Sequence, residues 1–514
     1  MTIDLSRREL VGALAAAALL PGISPAQAAA AGLAMGPATP FSWEWLKGQA
    51  LALSQRPYKP PVVNTKVIHA IDYDAAGQIG YREDRTLWAD KHDETAIRFF
   101  HLSRAATTPV TIAVVENGQA RQISYSESLF TMPAGHIARK LGSSGGFAGF
   151  RAMNANGMGD WLAFLGASYF RSAGALNQYG LSARGIAVNT ATAGLEEFPA
   201  FTGFWLEHRS ADEFTAYALL DGPSVAGAYR IVNRKTAEGV EQDVTLFVRL
   251  RADVERLGFA PLTSMYWYGE AEKLKGIDWR PEIHDSDGLL MWSGSGERIW
   301  RPLGNPPRVM ANSFADDGPR GFGLLQRDRQ FDHYQDDGVF YQKRPSLWIE
   351  PQGNWGKGSV QLVEIPTVQE TDDNIVAFWV PAAPALASSS YDLAYHMRWI
   401  ATEPAAGPVA RVINTWRGVG GRPGLPPPPG VSKLVIDFQG ERLKGLTRDS
   451  GVEPVVSVNG ATASHVDAYP VVGFDDRWRL TIDVKAGSTP PTDLRAFLRL
   501  KGDALTETWL YQLF

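Results

Sequence analysis

The sequence predicts an all-β protein. Of its 514 residues, 51 are glycine and 33 are proline, which commonly mark the turns between strands. Apolar residues alternate with their neighbours at a period of two, the pattern of strands with one buried face, in residues 244–251, 393–400, 433–438 and 494–500. We therefore expect packed β-sheets and little helix.

The clearest helix signal is short. Ser42 is a potential N-cap, residues 43–54 follow it, and the signal stops before Pro57. One helix of this length does not change the predicted fold class.

Composition narrows the classes of partner and chemistry. The formal net charge is −5 and no long basic run is present, so nucleic acid is not an expected partner. The chain has no cysteine, which excludes disulfides, thiolate metal sites and a thiol nucleophile. We expect neither a cofactor nor a metal, and sixteen Trp and sixteen Tyr suit an aromatic groove for a neutral ligand.

The N-terminus carries an export signal. Arg7 and Arg8 form a twin-arginine pattern, an apolar run covers residues 11–20, and Ala26-Gln27-Ala28 offers a cleavage site. The run is shorter than the roughly 20 residues that span a bilayer. We predict a signal peptide over residues 1–28 and a periplasmic, soluble mature protein that does not span a membrane.

A change in composition predicts two domains. Residues 380–390 are small, polar and proline-bearing, which is typical of a linker. We predict an N-terminal β-sandwich over residues 39–383 and a C-terminal one over residues 387–514. The proline-rich residues 424–430 are interpreted as a loop, because a boundary there would leave the strand at 393–400 without partners.

Two acidic motifs carry the chemical signal. They are His284-Asp285-Ser286-Asp287 and Glu370-Thr371-Asp372-Asp373-Asn374-Ile375. Paired carboxylates cleave glycosidic bonds, one as acid and the other as base or nucleophile, and aromatic rings offer apolar platforms to sugar faces. The motifs therefore indicate glycoside chemistry.

Other interpretations of these motifs stay open. Aspartates beside Ser and Gly often form turns by bonding the local backbone. Asp285-Ser286-Asp287 also has the form of a metal-binding motif of nucleotide-sugar transferases, but no βα nucleotide-binding pattern surrounds it. A serine hydrolase lacks support, because no G-x-S-x-G motif is present.

Eight blocks resemble the periplasmic glucan biosynthesis proteins OpgG and OpgD, also called MdoG and MdoD, from about residue 40 to the C-terminus. The twin-arginine signal is more like the D branch. The blocks are Phe147-Ala-Gly-Phe-Arg151, Phe164-Leu-Gly-Ala-Ser-Tyr-Phe-Arg171, Gln178-Tyr-Gly-Leu-Ser-Ala-Arg-Gly185, Ile283-His-Asp-Ser-Asp287, Gly321-Phe-Gly-Leu-Leu-Gln-Arg-Asp328, Lys343-Arg-Pro-Ser-Leu-Trp348, Trp355-Gly-Lys-Gly358 and Thr506-Glu-Thr-Trp-Leu-Tyr511.

The resemblance implies a fold and two alternative functions. It implies a large galactose-mutarotase-like sandwich joined to a smaller immunoglobulin-like one, and a role in making osmoregulated periplasmic glucans with a β-1,2-linked backbone. D-type members resemble inverting endo-β-1,2-glucanases, and some relatives transfer the chain to itself. The alternative is a non-catalytic protein that binds β-1,2-glucan and guides it or docks to the membrane glucan synthase.

The resemblance also assigns roles to residues. Asp373 corresponds to the general acid and Asp285 to the general base. If the first motif lies on a strand, Asp287 shares a face with Asp285 and supports it through its charge. We predict further that the residues between the motifs bind substrate, namely Tyr334, Arg344, Trp348 and Lys357. Trp348 also fits a buried strand position, and Arg344, before Pro345, also fits a loop anchor.

Overall fold

The computed structural model describes residues 32–89, 94–404, 407, 409–487 and 490–514. The predicted signal peptide, residues 1–28, lies outside the described residues. In the part of the chain that is described, no helix is both long and apolar enough to cross a membrane.

Strands dominate the structure and confirm the predicted all-β fold. In chain order, the first half comprises β1 (Thr39–Pro40), β2 (Gly80–Tyr81), β3 (Ile97–His101), β4 (Thr111–Glu116), β5 (Gln119–Gln122), β6 (Phe130–Thr131), β7 (Phe147–Met153), β8 (Asp160–Leu165), β9 (Tyr169–Ser172), β10 (Ser182–Arg184), β11 (Ala187–Val188), β12 (Ala200–Ser210), β13 (Glu213–Asp221), β14 (Val225–Thr236), β15 (Gly239–Leu250), β16 (Leu257–Ser264) and β17 (Tyr266–Tyr268). The second half comprises β18 (Ile283–His284), β19 (Gly288–Trp292), β20 (Arg298–Pro302), β21 (Met310–Asp317), β22 (Gly321–Leu325), β23 (Ser346–Gln352), β24 (Lys357–Glu364), β25 (Ile375–Pro381), β26 (Ser390–Ile400), β27 (Arg411–Val419), β28 (Val431–Gln439), β29 (Glu453–Val458), β30 (Thr462–Pro470), β31 (Arg477–Lys485), β32 (Thr492–Leu500), β33 (Asp503–Ala504) and β34 (Thr508–Leu513).

Helices are few and short in the described residues. The α-helices are α1 (Trp43–Ser54), α2 (Thr65–His69), α3 (Tyr73–Gly77) and α4 (Phe331–Tyr334). The 3₁₀ helices span Glu83–Arg85, Glu127–Leu129, Ile137–Ser144, Glu270–Lys275, Tyr341–Lys343, Glu441–Leu443 and Arg448–Ser450. Helix α1 confirms the predicted helix, since the Ser42 side chain caps it by accepting the Trp45 N–H (3.1 Å).

Two large sheets pack face to face to form the N-terminal sandwich. One runs β1-β5-β4-β12-β13-β14-β15-β26-β23-β22-β19-β20, and the other β21-β24-β25-β16-β10-β9-β8-β7-β3 with β11 beside β16. Strand β15 alternates buried and half-buried residues, whereas β16 is buried along its whole length. The core between the sheets includes Phe204, Tyr229 and Leu246 on one side and Phe164, Leu262 and Trp379 on the other.

A smaller sandwich follows at the C-terminus. Its four-stranded sheet β27-β28-β31-β30 lies across from β34-β32-β29, and short β33 pairs with β32. Seven main strands in two sheets agree with the predicted immunoglobulin-like architecture. Its core includes Leu434, Ile436, Trp478, Leu480, Leu498 and Trp509.

Strand β26 corrects the predicted domain boundary at 383–387. It pairs antiparallel with both β15 and β23, so residues 390–400 form an inner strand of the N-terminal sandwich. The small and proline-bearing residues before it form the crossing from β25 in one sheet to β26 in the other. The chain leaves the N-terminal sandwich after Ile400 and enters the C-terminal one at Arg411.

The two sandwiches share a sheet and an apolar cluster. Strand β20 pairs in parallel with β34, with Trp300 opposite Trp509. Trp300 and Trp348 of the first sandwich belong to the same buried cluster as Trp509 of the second. This continuity fixes the orientation of the two parts and encloses polar groups between them.

Candidate functional site

Both acidic motifs flank one segment, residues 264–266, at the end of β16. The Asp285 N–H donates to the Met265 carbonyl (2.9 Å). On the other side, Ser264 is the register partner of Ile375, and the Asn374 side chain accepts the Tyr266 N–H (2.8 Å) and donates to the Tyr266 carbonyl (2.9 Å). Two strand spacings amount to about 10 Å, so the fold places Asp285 and Asp373 in one neighbourhood.

Local sequence explains why the segment is fixed. Strand β16 and the first five residues of β25 are buried, which anchors both against the sandwich core. Where the strands end, buried hydroxyls replace apolar packing: Ser264 Oγ and Ser286 Oγ lie 2.8 Å apart. The motifs thus begin where the sheet gives way to loops.

Asp373 faces cations and a phenol from β9 and β10. Its charge acts on Tyr169, Arg171 and Arg184. Burial raises the pKa of Tyr169 to about 12, with Arg184 opposing and Asp373 adding to the shift. The Arg184 guanidinium lies 4.9 Å from the Tyr169 ring centre. It also donates to Thr263 Oγ1 (2.9 Å), which fixes it beside the end of β16.

Arg171 differs from Arg184 in its lack of a partner within the part of the chain that is described. It is buried, and its Nη1 has no hydrogen-bond partner among the described residues. Burial lowers its pKa, while the negative charge of Asp373 opposes that shift. A buried guanidinium nitrogen without a partner is costly, and a sugar hydroxyl at Asp373 is a suitable acceptor for it.

Asp285 is fully buried and ion-paired. Its Oδ1 accepts a hydrogen bond from Arg344 Nη1, and its side chain has no exposed surface. The Arg344 guanidinium stacks 4.0 Å from the Tyr341 ring centre, and the Tyr341 hydroxyl donates to Glu370 Oε2 (2.7 Å). These contacts connect Asp285 to the loop that carries Asp373.

Asp285 and Asp287 do not lie on the strand that the sequence argument assumed for them. Strand β18 ends at His284, so the condition for a shared face, an extended strand through both aspartates, is not met. Asp287 Oδ2 accepts the N–H groups of Arg327 and Asp328 (2.7 Å for the latter). Burial raises its pKa and His284 opposes that shift. Asp287 lines a pocket between the sandwiches, and its predicted support of Asp285 stays a prediction.

Of the four predicted substrate-binding residues, Tyr334 and Arg344 lie beside the first acidic motif, whereas Trp348 belongs to the cluster between the sandwiches. Tyr334 and Trp348 are core residues, with 0% and 1% of their surfaces exposed. Lys357 begins β24, whose other end lies beside Ile375, so about 20 Å separates it from Asp373. Arg344 is adjacent, but its guanidinium binds Asp285. Substrate binding by Tyr334, Trp348 and Lys357 stays a prediction, and the burial of the first two and the distance of the third give it no support.

Several residues at the site were missed from the sequence. Arg171 is the last residue of one block that carries the family resemblance, and Arg184 lies within another. Their place in these blocks was the sequence signal that could have identified them. Glu370 opens the second acidic motif, and Arg280 Nη1 binds it (2.8 Å). Trp279 precedes Arg280 in the chain and is 74% exposed, so its ring is free to act as an aromatic platform.

One group of side chains has the spacing of metal ligands. Ligand atoms of Glu282, Asp328 and His333 all lie within 4.8 Å of one another. His333 Nδ1 is hydrogen-bonded to Asp328, and Glu282 Oε2 is hydrogen-bonded to His284 (3.1 Å). Because these side chains bind one another and their neighbours, we assign them no metal.

The chain belongs to the family of periplasmic glucan biosynthesis proteins, whose family model (MdoG) matches residues 41–513. It is 48% identical to glucans biosynthesis protein D 2 of Ralstonia nicotianae, over 99% of this chain and 97% of that protein. It is 47% identical to a probable glucans biosynthesis protein D of Shewanella oneidensis, over 94% and 91%. The identity to glucans biosynthesis protein D of Xanthomonas campestris pv. campestris is 46%, over 97% and 96%.

A comparison with solved structures adds little. A galactose mutarotase related enzyme from Lactobacillus acidophilus aligns over 49% of this chain and 94% of that protein, at 8% identity and a TM-score of 0.23. That score is too low to carry an argument about fold or function.

Proposed function

We propose that the protein acts in periplasmic glucan biosynthesis as an inverting endo-β-1,2-glucanase or a related transglycosylase. The observation that carries the proposal is the convergence of Asp285 and Asp373 on residues 264–266. Family membership and relatives named glucans biosynthesis protein D support the glucan. The β-1,2 linkage rests on the resemblance of the eight sequence blocks.

In this proposal, Asp373 protonates the leaving oxygen. Arg171 and Arg184 then stabilise the carboxylate that remains, because their charges act on Asp373. Trp279 supports a sugar ring. The phenol of Tyr169 stays protonated, since burial raises its pKa to about 12, and can donate a hydrogen bond to the substrate.

Asp285 acts as the base through a relay. Its carboxylate is fully buried, so a water at the anomeric carbon reaches it only through intervening hydroxyls or waters. Inverting glycosidases place their carboxyls about 6.5–9.5 Å apart to admit a water, and a relay permits more. The Arg344 guanidinium supplies the counter-charge of the Asp285 carboxylate and holds it in place.

The site of action is the periplasm. Arg7 and Arg8 form the twin-arginine pattern, and the family description is periplasmic. Replacing both by Lys should leave the precursor in the cytoplasm, as measured by cell fractionation. An unchanged periplasmic yield would contradict twin-arginine export.

One observation favours a second function. Arg344 occupies Asp285 Oδ1, and the Asp285 side chain is fully buried, so that oxygen is already engaged within the protein. A non-catalytic protein that binds β-1,2-glucan, guides it or docks to the membrane synthase would need no base at all. Such a protein would use the same aromatic and cationic surface for binding.

Product analysis separates the two functions. Purified mature protein is incubated with linear β-1,2-glucan, and the products are separated by chromatography. Shortened linear chains indicate hydrolysis, and products without a reducing end indicate cyclising transfer. Unchanged polymer with measurable binding would support the non-catalytic protein and overturn the proposed enzyme.

A further inference from the structure

A second groove lies between the sandwiches, on the side of the Asp287 pocket. Its walls come from residues 327–333 of the first sandwich and from β27, β28 and β31 of the second. Its volume is about 530 Å³, within the range of about 300–1,000 Å³ typical of small-molecule sites. We call it the arginine groove. Its lining includes Arg327, Arg329, Arg411, Arg477, Arg479, His333, Asp328, Asp437, Trp416 and Phe474.

Some charges of the arginine groove are neutralised within the protein. Arg479 donates to both carboxylate oxygens of Asp437 (2.7 and 2.9 Å). Arg327 binds Glu403 and Glu507, and Arg411 binds the other oxygen of Glu403 (3.2 Å). His333 is hydrogen-bonded to Asp328. These pairs account for both aspartates of the lining.

Two arginines remain without a carboxylate among the described residues. Arg329 donates to the carbonyls of Gln342 (3.0 Å) and Arg344 (2.8 Å). Arg477 donates from Nη2 to Gln439 Oε1 (2.9 Å), and its Nε is buried without a partner. Arg329 also donates to Ser346 Oγ (3.4 Å). Guanidinium groups that are paired only with neutral oxygens favour an external oxyanion, which can accept two parallel hydrogen bonds.

Aromatic rings lie beside these cations. The Arg477 guanidinium stacks 3.7 Å from the ring centre of Phe474, which is 47% exposed. Arg479 stacks 5.2 Å from the Trp416 ring centre. Stacking holds the guanidinium planes in place, and the rings provide apolar faces on which a pyranose can rest.

We propose that the arginine groove binds an anionic saccharide, a pyranose that carries a phosphate ester or a carboxylate. Arg477 and Arg329 bind the oxyanion, and Trp416 and Phe474 contact the sugar ring. The site is separate from the one at Asp373 and does not depend on the proposed hydrolysis. Neutral glucan would leave the unpaired guanidinium groups without a counter-charge.

Calorimetric titration of the purified mature protein tests the proposal, with glucose 6-phosphate and glucuronate as probes. Glucose and inorganic phosphate serve as the matched halves of the ligand. At least one anionic sugar should bind tenfold or more tightly than either half, and the affinity should fall with salt. Equal binding of phosphate alone, equal binding of glucose, or no binding would overturn the proposal.

Variants locate the binding. Arg477→Gln and Phe474→Ala should each weaken the anionic sugar at least fivefold. Arg448→Gln should not, although Arg448 also stacks on an aromatic ring, that of Tyr469 (4.7 Å), in the same sandwich. Thermal unfolding of each variant establishes that it is folded. If Arg477→Gln does not fold, Phe474→Ala alone tests the groove. Unchanged affinity in the folded groove variants would place the ligand elsewhere and contradict the assignment.

Discussion

Asp285 and Arg344 depend on each other at the level of single residues. Both side chains are buried, and each supplies the other's counter-charge. Removing one partner of a buried pair leaves an uncompensated charge, which typically costs about 3–5 kcal/mol. A loss of activity on changing Asp285 alone therefore has two explanations, a missing base or a disturbed fold.

A double-mutant cycle separates these explanations. We expect Asp285→Asn and Arg344→Gln each to lower the free energy of unfolding by a few kcal/mol, and the double variant to recover part of that loss. Activity on β-1,2-glucan should stay at least 10²-fold low in both Asp285 variants, because no base is present. Denaturant unfolding and turnover are measured on the same samples. Recovery of activity in the double variant would show that Asp285 has only a positioning role.

The acidic candidates and the binding candidates came from different signals in the sequence. Asp285 and Asp373 lie in short motifs, and local pattern was enough to select them. Tyr334 and Trp348 were selected as aromatics near the motifs, but the large apolar surface of an aromatic ring favours core positions equally. Arg171 reaches the site because β9 pairs with β10 and β10 pairs with β16, a long-range arrangement that no local pattern encodes.

At the scale of elements, hydrogen bonds of the Asn374 side chain hold the loop of Asp373 against residues 264–266. Its side chain is buried and donates to the carbonyls of Tyr266 and Ile365 (2.9 Å each), while accepting the Tyr266 N–H (2.8 Å). Each hydrogen bond contributes about 1 kcal/mol net, and a buried group left unpaired costs about 1–3 kcal/mol. Asn374 thus fixes the distance between the two motifs.

We expect Asn374→Ala to reduce both stability and activity. The free energy of unfolding should fall by about 2–4 kcal/mol, and turnover should fall at least tenfold because Asp373 is no longer held in place. Asn233→Ala is the matched control, since buried Asn233 makes comparable hydrogen bonds with Phe214, Ile231 and Gln242 in the other sheet. Assays are run well below the unfolding temperature of both variants. Equal losses of turnover in the two would argue against a specific role for Asn374.

Elements were predictable where the pattern was local. The alternating segments became β15, β26, β28 and β32, and the capped helix became α1. The domain boundary was not predictable in this way, because a linker and a crossing between two sheets can both be small and proline-bearing. The parallel pairing of β20 with β34 joins residues about 200 positions apart, and the sequence of neither strand indicates its partner.

For the whole molecule, ionisable groups enclosed between the sandwiches couple stability to pH. Burial raises the pKa of Glu270 to about 8, although it accepts hydrogen bonds from Asn414 and Thr415 of the C-terminal sandwich. Burial by itself lowers the pKa of His284. The hydrogen bond to Glu282 and the charges of Glu282 and Asp287 outweigh burial, so the pKa is raised to about 9. Both groups hold a proton in the folded state at a pH where the unfolded chain has released it.

Stability should therefore fall as pH rises. The contribution of Glu270 is lost between its unfolded pKa near 4.5 and about 8, and that of His284 between about 6.5 and 9. We expect the unfolding temperature to drop from pH 6.5 to pH 9, and to drop less in Glu270→Gln, which cannot ionise. Exposed Glu238→Gln should follow the wild type. Parallel curves for the Glu270 variant and the wild type in thermal unfolding would contradict the account.

The central claim for the whole protein is that Asp373 provides acid catalysis on a glucan chain. The most direct measurement is turnover of linear β-1,2-glucan by Asp373→Asn, with the exposed Asp392→Asn as control. General acid–base groups typically contribute about 10²–10⁴ in rate. We predict at least a 10²-fold loss for Asp373→Asn with glucan binding retained, and normal turnover for Asp392→Asn. Near-normal turnover by Asp373→Asn would contradict the account.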